Sequence, residues 1–210
     1  MGGRRSYDAS GRQARAGERR ERVLDAARRR FLQQGYAATS LRAVATDAGV
    51  SQEYLHKTFD GKAGLVRALY ERGLLGAGDV PAPERSDAAQ QQETDARALL
   101  QRFGALTAEV APLVTPMQRL IRDAAAGGDP TMTALWNQVE QERYDRMLLN
   151  ARRMHDRGLL ASTVSVERAA DLFWSTTGPE LYERLVGQRG WSAEAFGAFV
   201  GRMYAAELLD

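Results

Sequence analysis

Polar and basic side chains with the capacity to recognise a nucleic acid are concentrated between Thr39 and Phe59. This segment has the pattern of a helix, a tight turn at Gly49 and a second helix, because glycine tolerates the positive φ that such a turn requires. Val50 would fill the angle between the two helices. The first helix would brace the second, and a DNA major groove is wide enough to admit it. On this second helix, the amide of Gln52 is suited to paired hydrogen bonds with adenine.

Side chains for enzymatic or metal chemistry are scarce. The chain has no cysteine and only two histidines, His56 and His155, which excludes disulfides, thiol nucleophiles and metal sites built on thiolates or several histidines. It also lacks a Gly-x-Ser-x-Gly elbow, a phosphate-binding glycine loop and metal-ligand spacing. His155 and Asp156 follow Glu140 and Glu142, an arrangement typical of a solvated helix face. We therefore predict that the chain is not an enzyme and uses no cofactor or metal.

Charge is distributed unevenly, although the net charge of the 210 residues is only +2. Residues 1–67 contain 14 Lys and Arg against 7 Asp and Glu, a net charge of +7, whereas residues 68–210 have a net charge of −5. This asymmetry indicates a polyanionic partner for the first part. No segment approaches the ~20 apolar residues of a membrane span, and the N-terminus lacks the apolar core of a secretory signal. We therefore expect a cytoplasmic protein with no membrane partner.

Helical patterns occupy the first part of the chain after a predicted disordered basic tail at residues 1–17. In the first helix, residues 18–34, the apolar Val23, Ala27 and Phe31 recur at four-residue spacing. The further predicted features of this DNA-binding domain, residues 18–75, are a stop at Gly35, a helix from Leu41, a helix over 52–58 capped by Ser51, and a helix capped by Asp60.

The chain beyond a predicted linker at residues 76–87 is also helical in pattern, with no convincing strand. The predicted features are a helix over 88–110, a turn bracketed by Pro112 and Pro116, a helix ending at Gly127, a helix from Asp129 to Arg157, a helix from Ser165 interrupted at Gly178 and ending near Gly187, and a helix over 193–209. The predicted fold class is all-α, with an N-terminal three-helix DNA-binding head that contains the helix-turn-helix and a larger helical body at residues 88–210.

The head resembles the TetR/AcrR family of bacterial transcriptional regulators in the string ERVLDAARRRFLQQGYAATSLRAVATDAGVSQEYLHKTFDGKAGLVRALY. The resemblance is dense over residues 18–70 and weaker beyond, where ERAADLFWSTTGPELYERLVGQRGWSAEAFGAFVGRM looks like the last two helices of many members. It implies a homodimer whose heads bind a palindromic double-stranded DNA operator. It also implies a body that binds a small-molecule effector of unknown identity.

The resemblance implies DNA contacts by residues of the second, third and fourth helices. Two positions depart from the family pattern, since His56 stands where tyrosine is usual and Glu53 where a small residue is more common. Thr39 and Ser51 could instead be helix caps only, and Tyr54 could simply pack on the head. The implied DNA-binding residues are Thr39, Ser40, Arg42, Ser51, Gln52, Glu53, Tyr54, His56, Lys57 and Lys62.

In the body, large adaptable side chains suit an apolar or aromatic ligand, and apolar residues of the last two helices exceed what one small body needs. The predicted ligand-binding residues are Phe103, Met117, Ile121, Trp136, Met147 and Trp174, and the predicted dimer interface contains Leu181, Leu185, Phe196, Phe199, Val200 and Met203. The expected function is a repressor released from its operator by the effector. The alternatives are a helical ligand-binding protein or enzyme that retains a helix-turn-helix head, and a nonspecific architectural DNA-binding protein.

Overall fold

The computed structural model describes residues 9–210, and within this range the chain is helical with no strand, which confirms the all-α prediction. The chain divides after Leu69 into two compact units, here called the head and the body (from Tyr70). No helix of the described residues is long and apolar enough to cross a membrane. The helices are α1 (Ala9–Ala38), α2 (Leu41–Ala48), α3 (Gln52–Phe59), α4 (Gly61–Gly73), α5 (Ala82–Gln92), α6 (Ala96–Ala126), α7 (Pro130–Asp156), α8 (Val166–Thr177), α9 (Pro179–Tyr182) with a π-helical continuation Glu183–Gln188, and α10 (Ala193–Leu208).

The head is built on the apolar stripe of α1 that the sequence pattern predicts. Val23, Ala27 and Phe31 are at most 1% exposed and share this core with Leu55 of α3 and Leu65 of α4. Burial of such side chains contributes roughly 1.5–3 kcal/mol each for the larger ones. This core fixes the orientation of α3.

Two details of the predicted head differ from the structure. Ala9 to Gly17 form the start of α1 rather than an irregular tail, while residues 1–8 of that predicted tail lie outside the described residues. Gly35 interrupts α1 as expected, with φ 76° and ψ 176°. Asp60, predicted to cap α4, ends α3 in a left-handed conformation with φ 55°, and its amide donates to the His56 carbonyl.

The body differs from the predicted pattern in its first half. α5 begins inside the predicted linker, and Asp95, which accepts from the Ala98 amide at 2.6 Å, starts a new helix within the predicted helix 88–110. α6 then continues through Pro112 and Pro116, so the predicted turn is wrong. Each proline removes one hydrogen bond of the helix, but α6 is held by its long packing face against α10 and α7.

The core of the body lies where α6 packs along α10 and where α7 packs along α8. Phe173 of α8 lies edge-on to Phe103 and Tyr204, with ring centroids 5.9 and 4.8 Å apart. Burial raises the pKa of the Tyr204 phenol well above its ordinary value, and this hydroxyl shares a short hydrogen bond with Thr176. The body core is therefore aromatic and well packed.

Candidate nucleic-acid interface

Local hydrogen bonds hold the helix-turn-helix together where α2 ends and where α3 begins. Gly49 takes the left-handed conformation, with φ 65° and ψ 41°, and ends α2. The next amide, that of Val50, donates to the Ala45 carbonyl at 3.0 Å. The Ser51 hydroxyl then caps α3 by accepting from the Tyr54 amide at 3.1 Å. The turn therefore has the geometry that its residue types predict.

α3 has one buried face and one polar, exposed face. Leu55 and Phe59 are 0% and 6% exposed and attach the helix to the head core. The side chains of the other face are exposed, and their spacing places them together on successive turns. This polar face of α3 consists of Gln52, Glu53, His56 and Lys57.

Contacts from α1 brace the helix-turn-helix from behind. Arg30 of α1 forms a two-pronged ion pair with Asp47 of α2, with N to O distances of 2.6 and 2.8 Å. The hydrogen bonds from this guanidinium lower the pKa of the Asp47 carboxyl. Arg20 lies over the ring of Phe59, 4.8 Å from its centroid. These contacts join α1 to both helices of the motif.

Thr39 is the one predicted DNA-binding residue whose side chain is buried in the head. It is only 1% exposed, and its hydroxyl donates to the Gly35 carbonyl at 2.8 Å. Its role is to close the end of α1, where the kink at Gly35 leaves that carbonyl without its helical partner. The Thr39 hydroxyl is therefore engaged within the head, with little exposed surface of its own.

The other predicted residues of α2 are accessible. Ser40 is exposed and caps α2 by accepting from the Ala43 amide at 3.2 Å. A capping hydroxyl keeps its own hydrogen for a further acceptor, as the hydroxyl of Ser51 also does. Arg42 is exposed, and no described carboxylate pairs with it.

Lys62 and Tyr54 are partly engaged within the head. The Lys62 ammonium donates to the Tyr36 carbonyl at 2.9 Å and lies 4.0 Å from the centroid of the Tyr36 ring. An ammonium has three donor hydrogens, so these contacts orient the group without using all of them. Tyr54 is half-buried, and the Arg19 guanidinium lies 5.6 Å from its ring centroid. Arg19 is not among the predicted DNA-binding residues. The regular spacing of the arginines along α1 is the sequence signal that could have indicated it.

The predicted ligand-binding residues divide into core and partly exposed side chains. Met117 and Ile121 of α6 are at most 1% exposed, and Phe103 packs in the aromatic core. Trp136 and Met147 are half-buried.

Trp174 is part of a polar cluster between α6, α7 and α8. The Arg143 guanidinium lies 5.1 Å from its ring, donates to the Thr177 hydroxyl at 3.0 Å and pairs with Glu140 at 2.5 Å. Gln118 of α6 donates to the Thr177 carbonyl at 3.3 Å. Among the described groups, the Gln118 Oε1 and Trp174 Nε1 atoms are buried without a hydrogen-bond partner. Such orphan polar atoms mark a place where a further polar group could bind.

A concave region lies along α6 and α10 and has a volume of about 650 Å³. Small residues of both helices line it, among them Ala105, Ala108, Gly197 and Gly201. None of the predicted ligand-binding residues lines this groove.

The predicted dimer residues also divide by burial. Phe196 and Val200 are 0% exposed inside the chain, so they offer no surface to a second subunit and belong to the body core. The remaining four side chains are apolar and partly exposed, and they lie on α9, on its π-helical continuation and on α10. They are Leu181, Leu185, Phe199 and Met203.

Comparisons with known proteins agree with this fold. Residues 23–69 match the profile of the family described as bacterial regulatory proteins, tetR family. YvkB of Bacillus subtilis (strain 168), an uncharacterised HTH-type transcriptional regulator, is 35% identical over 60 residues, which is 29% of this chain and 32% of YvkB. The matched region thus spans about a third of the length of this curated relative.

Solved structures extend the similarity of fold to the body. SmeT, in a complex with triclosan, is 22% identical with a TM-score of 0.70, and the match covers 92% of each chain. FadR from Bacillus subtilis, in complex with stearoyl-CoA, is 14% identical with a TM-score of 0.66, covering 88% of this chain and 96% of that one. Residues 23–69 therefore carry the profile of the tetR family of bacterial regulatory proteins, and the chain as a whole has a fold similar to those of these solved structures.

Proposed function

We propose that this protein is a ligand-responsive transcription regulator that binds a palindromic DNA operator as a homodimer. The polar face of α3 carries the proposal, because it presents amide, carboxylate, imidazole and ammonium groups to solvent on a rigidly braced helix. Base edges in the major groove are read by hydrogen bonds from such groups, and phosphates are held by cationic ones such as Arg42 and Lys57. Ser40, Ser51, Tyr54 and Lys62 are proposed to contact the flanking phosphates.

The partly exposed apolar residues Leu181, Leu185, Phe199 and Met203 support dimerisation. Trp191, which is 38% exposed and lies edge-on to Phe199, adds apolar surface beside them. In a two-fold dimer, the two α3 helices would have to reach successive major grooves about 34–36 Å apart. The operator is therefore proposed to be an inverted repeat.

The effector is proposed to be a small apolar or aromatic molecule with one polar group, bound beside Trp174. Its polar group would form hydrogen bonds with the unpartnered atoms of Gln118 and Trp174. Its apolar part would pack against partly buried residues such as Met147. The similar folds of SmeT and FadR, solved with triclosan and stearoyl-CoA, support a ligand-binding role for the body. Repression is proposed because effector binding would favour subunit arrangements that space the recognition helices wrongly for DNA.

Footprinting of the protein on the DNA upstream of its own gene tests this function. The expected result is a protected inverted repeat whose half-sites are about 10–10.5 base pairs apart, or a multiple of that spacing. Protection that lacks this symmetry would refute the proposal. So would the absence of protection at protein concentrations that already coat unrelated DNA. A molecule that binds the body and leaves operator affinity unchanged would refute its effector part.

Gln52→Ala and Lys57→Gln are expected to weaken DNA binding in different ways. The first removes a proposed base contact, so discrimination at one base pair per half-site should fall by about 1–3 kcal/mol. The second removes a proposed phosphate contact, so affinity should fall on all sequences and the salt dependence should lose about one counterion per subunit. Competition binding with single-base operator variants measures both effects. Equal losses of discrimination in the two variants would contradict the assignment of Gln52.

A further inference from the structure

α1 extends well beyond the core that it helps to build. It begins at Ala9, whereas its first buried apolar residue is Val23. The intervening 14 residues span about 20 Å at 1.5 Å per residue. From residue 12 to residue 19 every side chain is exposed. This extension therefore contributes little to the packing of the head.

Charge on the extension is separated onto two faces. Four arginines recur at intervals of three and four residues, which places them on one side of the helix, whereas Arg20 lies over the ring of Phe59. The acidic residues Glu18, Glu21 and Asp25 follow the same spacing, but on a side rotated by roughly 100°. We call the basic side the arginine stripe, and it consists of Arg12, Arg15, Arg19 and Arg22, all exposed.

The stripe is adjacent to the recognition helix. Arg19 lies over the ring of Tyr54 of α3, 5.6 Å from its centroid. Tyr54 follows Gln52 and Glu53 of the polar face in sequence, so the basic side of α1 meets α3 near that face. The stripe and the polar face of α3 are thus neighbouring surfaces of one rigid head.

We propose that the arginine stripe is a second DNA-contacting surface, which binds the phosphate backbone beside the groove that α3 enters. This inference rests on the proposed function. The guanidinium group binds phosphate oxygens with two parallel hydrogen bonds, and the stripe's length of about 15 Å suits several consecutive phosphates. Because phosphates carry no base identity, the stripe adds affinity to every duplex and leaves the preference for the operator unchanged.

Arg15→Gln/Arg22→Gln is the variant that tests the stripe, with Arg97→Gln/Arg189→Gln as the control. The control loses the same charge from exposed arginines of the body. The fluorescence anisotropy of labelled duplexes is followed between about 50 and 200 mM salt. The stripe variant should lose about two units per subunit from the slope of log affinity against log salt. Affinity at low salt should fall at least about tenfold on operator and random duplexes alike, whereas the control should match the wild type.

Two further measurements separate contact from folding. Arg15→Lys/Arg22→Lys retains the charge and should retain the slope, because lysine also binds phosphate as a point charge. In the unchanged protein, DNA should protect Arg15 and Arg22 from an arginine-selective dicarbonyl reagent, while Arg97 and Arg189 react as before. If the wild type prefers its operator but the Gln variant matches the control and DNA gives no protection, the stripe is not a DNA contact. If the wild type shows no preference for any upstream DNA, the proposed function itself fails.

Discussion

Gly104→Ala is expected to destabilise the body by about 3 kcal/mol, because α6 and α10 approach too closely at this point to admit a side chain. A β-carbon at Gly104 would lie 2.8 Å from the Gly201 amide nitrogen and closer still to the Gly197 carbonyl oxygen. These are backbone atoms, so relief requires the helices to separate along their largest contact. Thermal unfolding should show a melting temperature lower by roughly 10 °C.

Gly187→Ala is the matched control for this prediction. A β-carbon there would meet only the Glu183 Cγ atom, at 3.9 Å. The same substitution at this open position should leave stability unchanged or raise it by up to about 1 kcal/mol, since alanine loses less backbone freedom on folding than glycine. Equal melting temperatures for the two variants would contradict the close approach of α6 and α10.

Arg143→Met is expected to cost about 3 kcal/mol of unfolding free energy, because it leaves Glu140 as a largely buried carboxylate without a cation. The side chains of Arg143 and Glu140 are 8% and 18% exposed and pair at 2.5 Å. The substitution also removes the donor to the Thr177 hydroxyl and to the Trp174 carbonyl. Denaturant unfolding measures the loss.

Arg97→Met serves as control, since Arg97 is exposed and no described carboxylate pairs with it. Its stability should change by less than about 0.5 kcal/mol. Adding Glu140→Gln to Arg143→Met should recover part of the lost stability, because a neutral amide is less costly to bury than an unpaired carboxylate. Equal losses of unfolding free energy in Arg143→Met and Arg97→Met would contradict this account. They would mean that water solvates Glu140 well enough to replace its ion pair with Arg143.

Residues with a strong local signal could be predicted from the sequence. Gly49 ends α2 because the turn needs positive φ, and Ser51 caps α3 because its hydroxyl reaches the Tyr54 amide. The apolar stripe of Val23 and Phe31 identified the buried side of α1 for the same local reason. The polar face of α3 follows from these positions, since it is the side that remains when Leu55 is buried.

Features that depend on tertiary packing could not be predicted in this way. Pro112 and Pro116 normally indicate a turn, but the long contact of α6 with its neighbours keeps the helix continuous. Phe196 has the composition of an interface residue, and only the position of α10 in the body shows that it is core. The sequence around Thr39 fits a phosphate contact and a capping role equally, and the bond of its hydroxyl to the Gly35 carbonyl depends on the kink in α1.

The binding of this protein to its own upstream DNA, compared with a shuffled duplex of the same composition, tests the central claim most directly. Both affinities are measured over a salt series, because affinity at a single salt concentration does not separate specific from electrostatic binding. At about 150 mM salt, an α3 that reads bases should bind the upstream duplex at least about 1,000 times more tightly. Equal affinity for the two duplexes at every salt concentration would contradict the claim that this protein is a sequence-specific regulator.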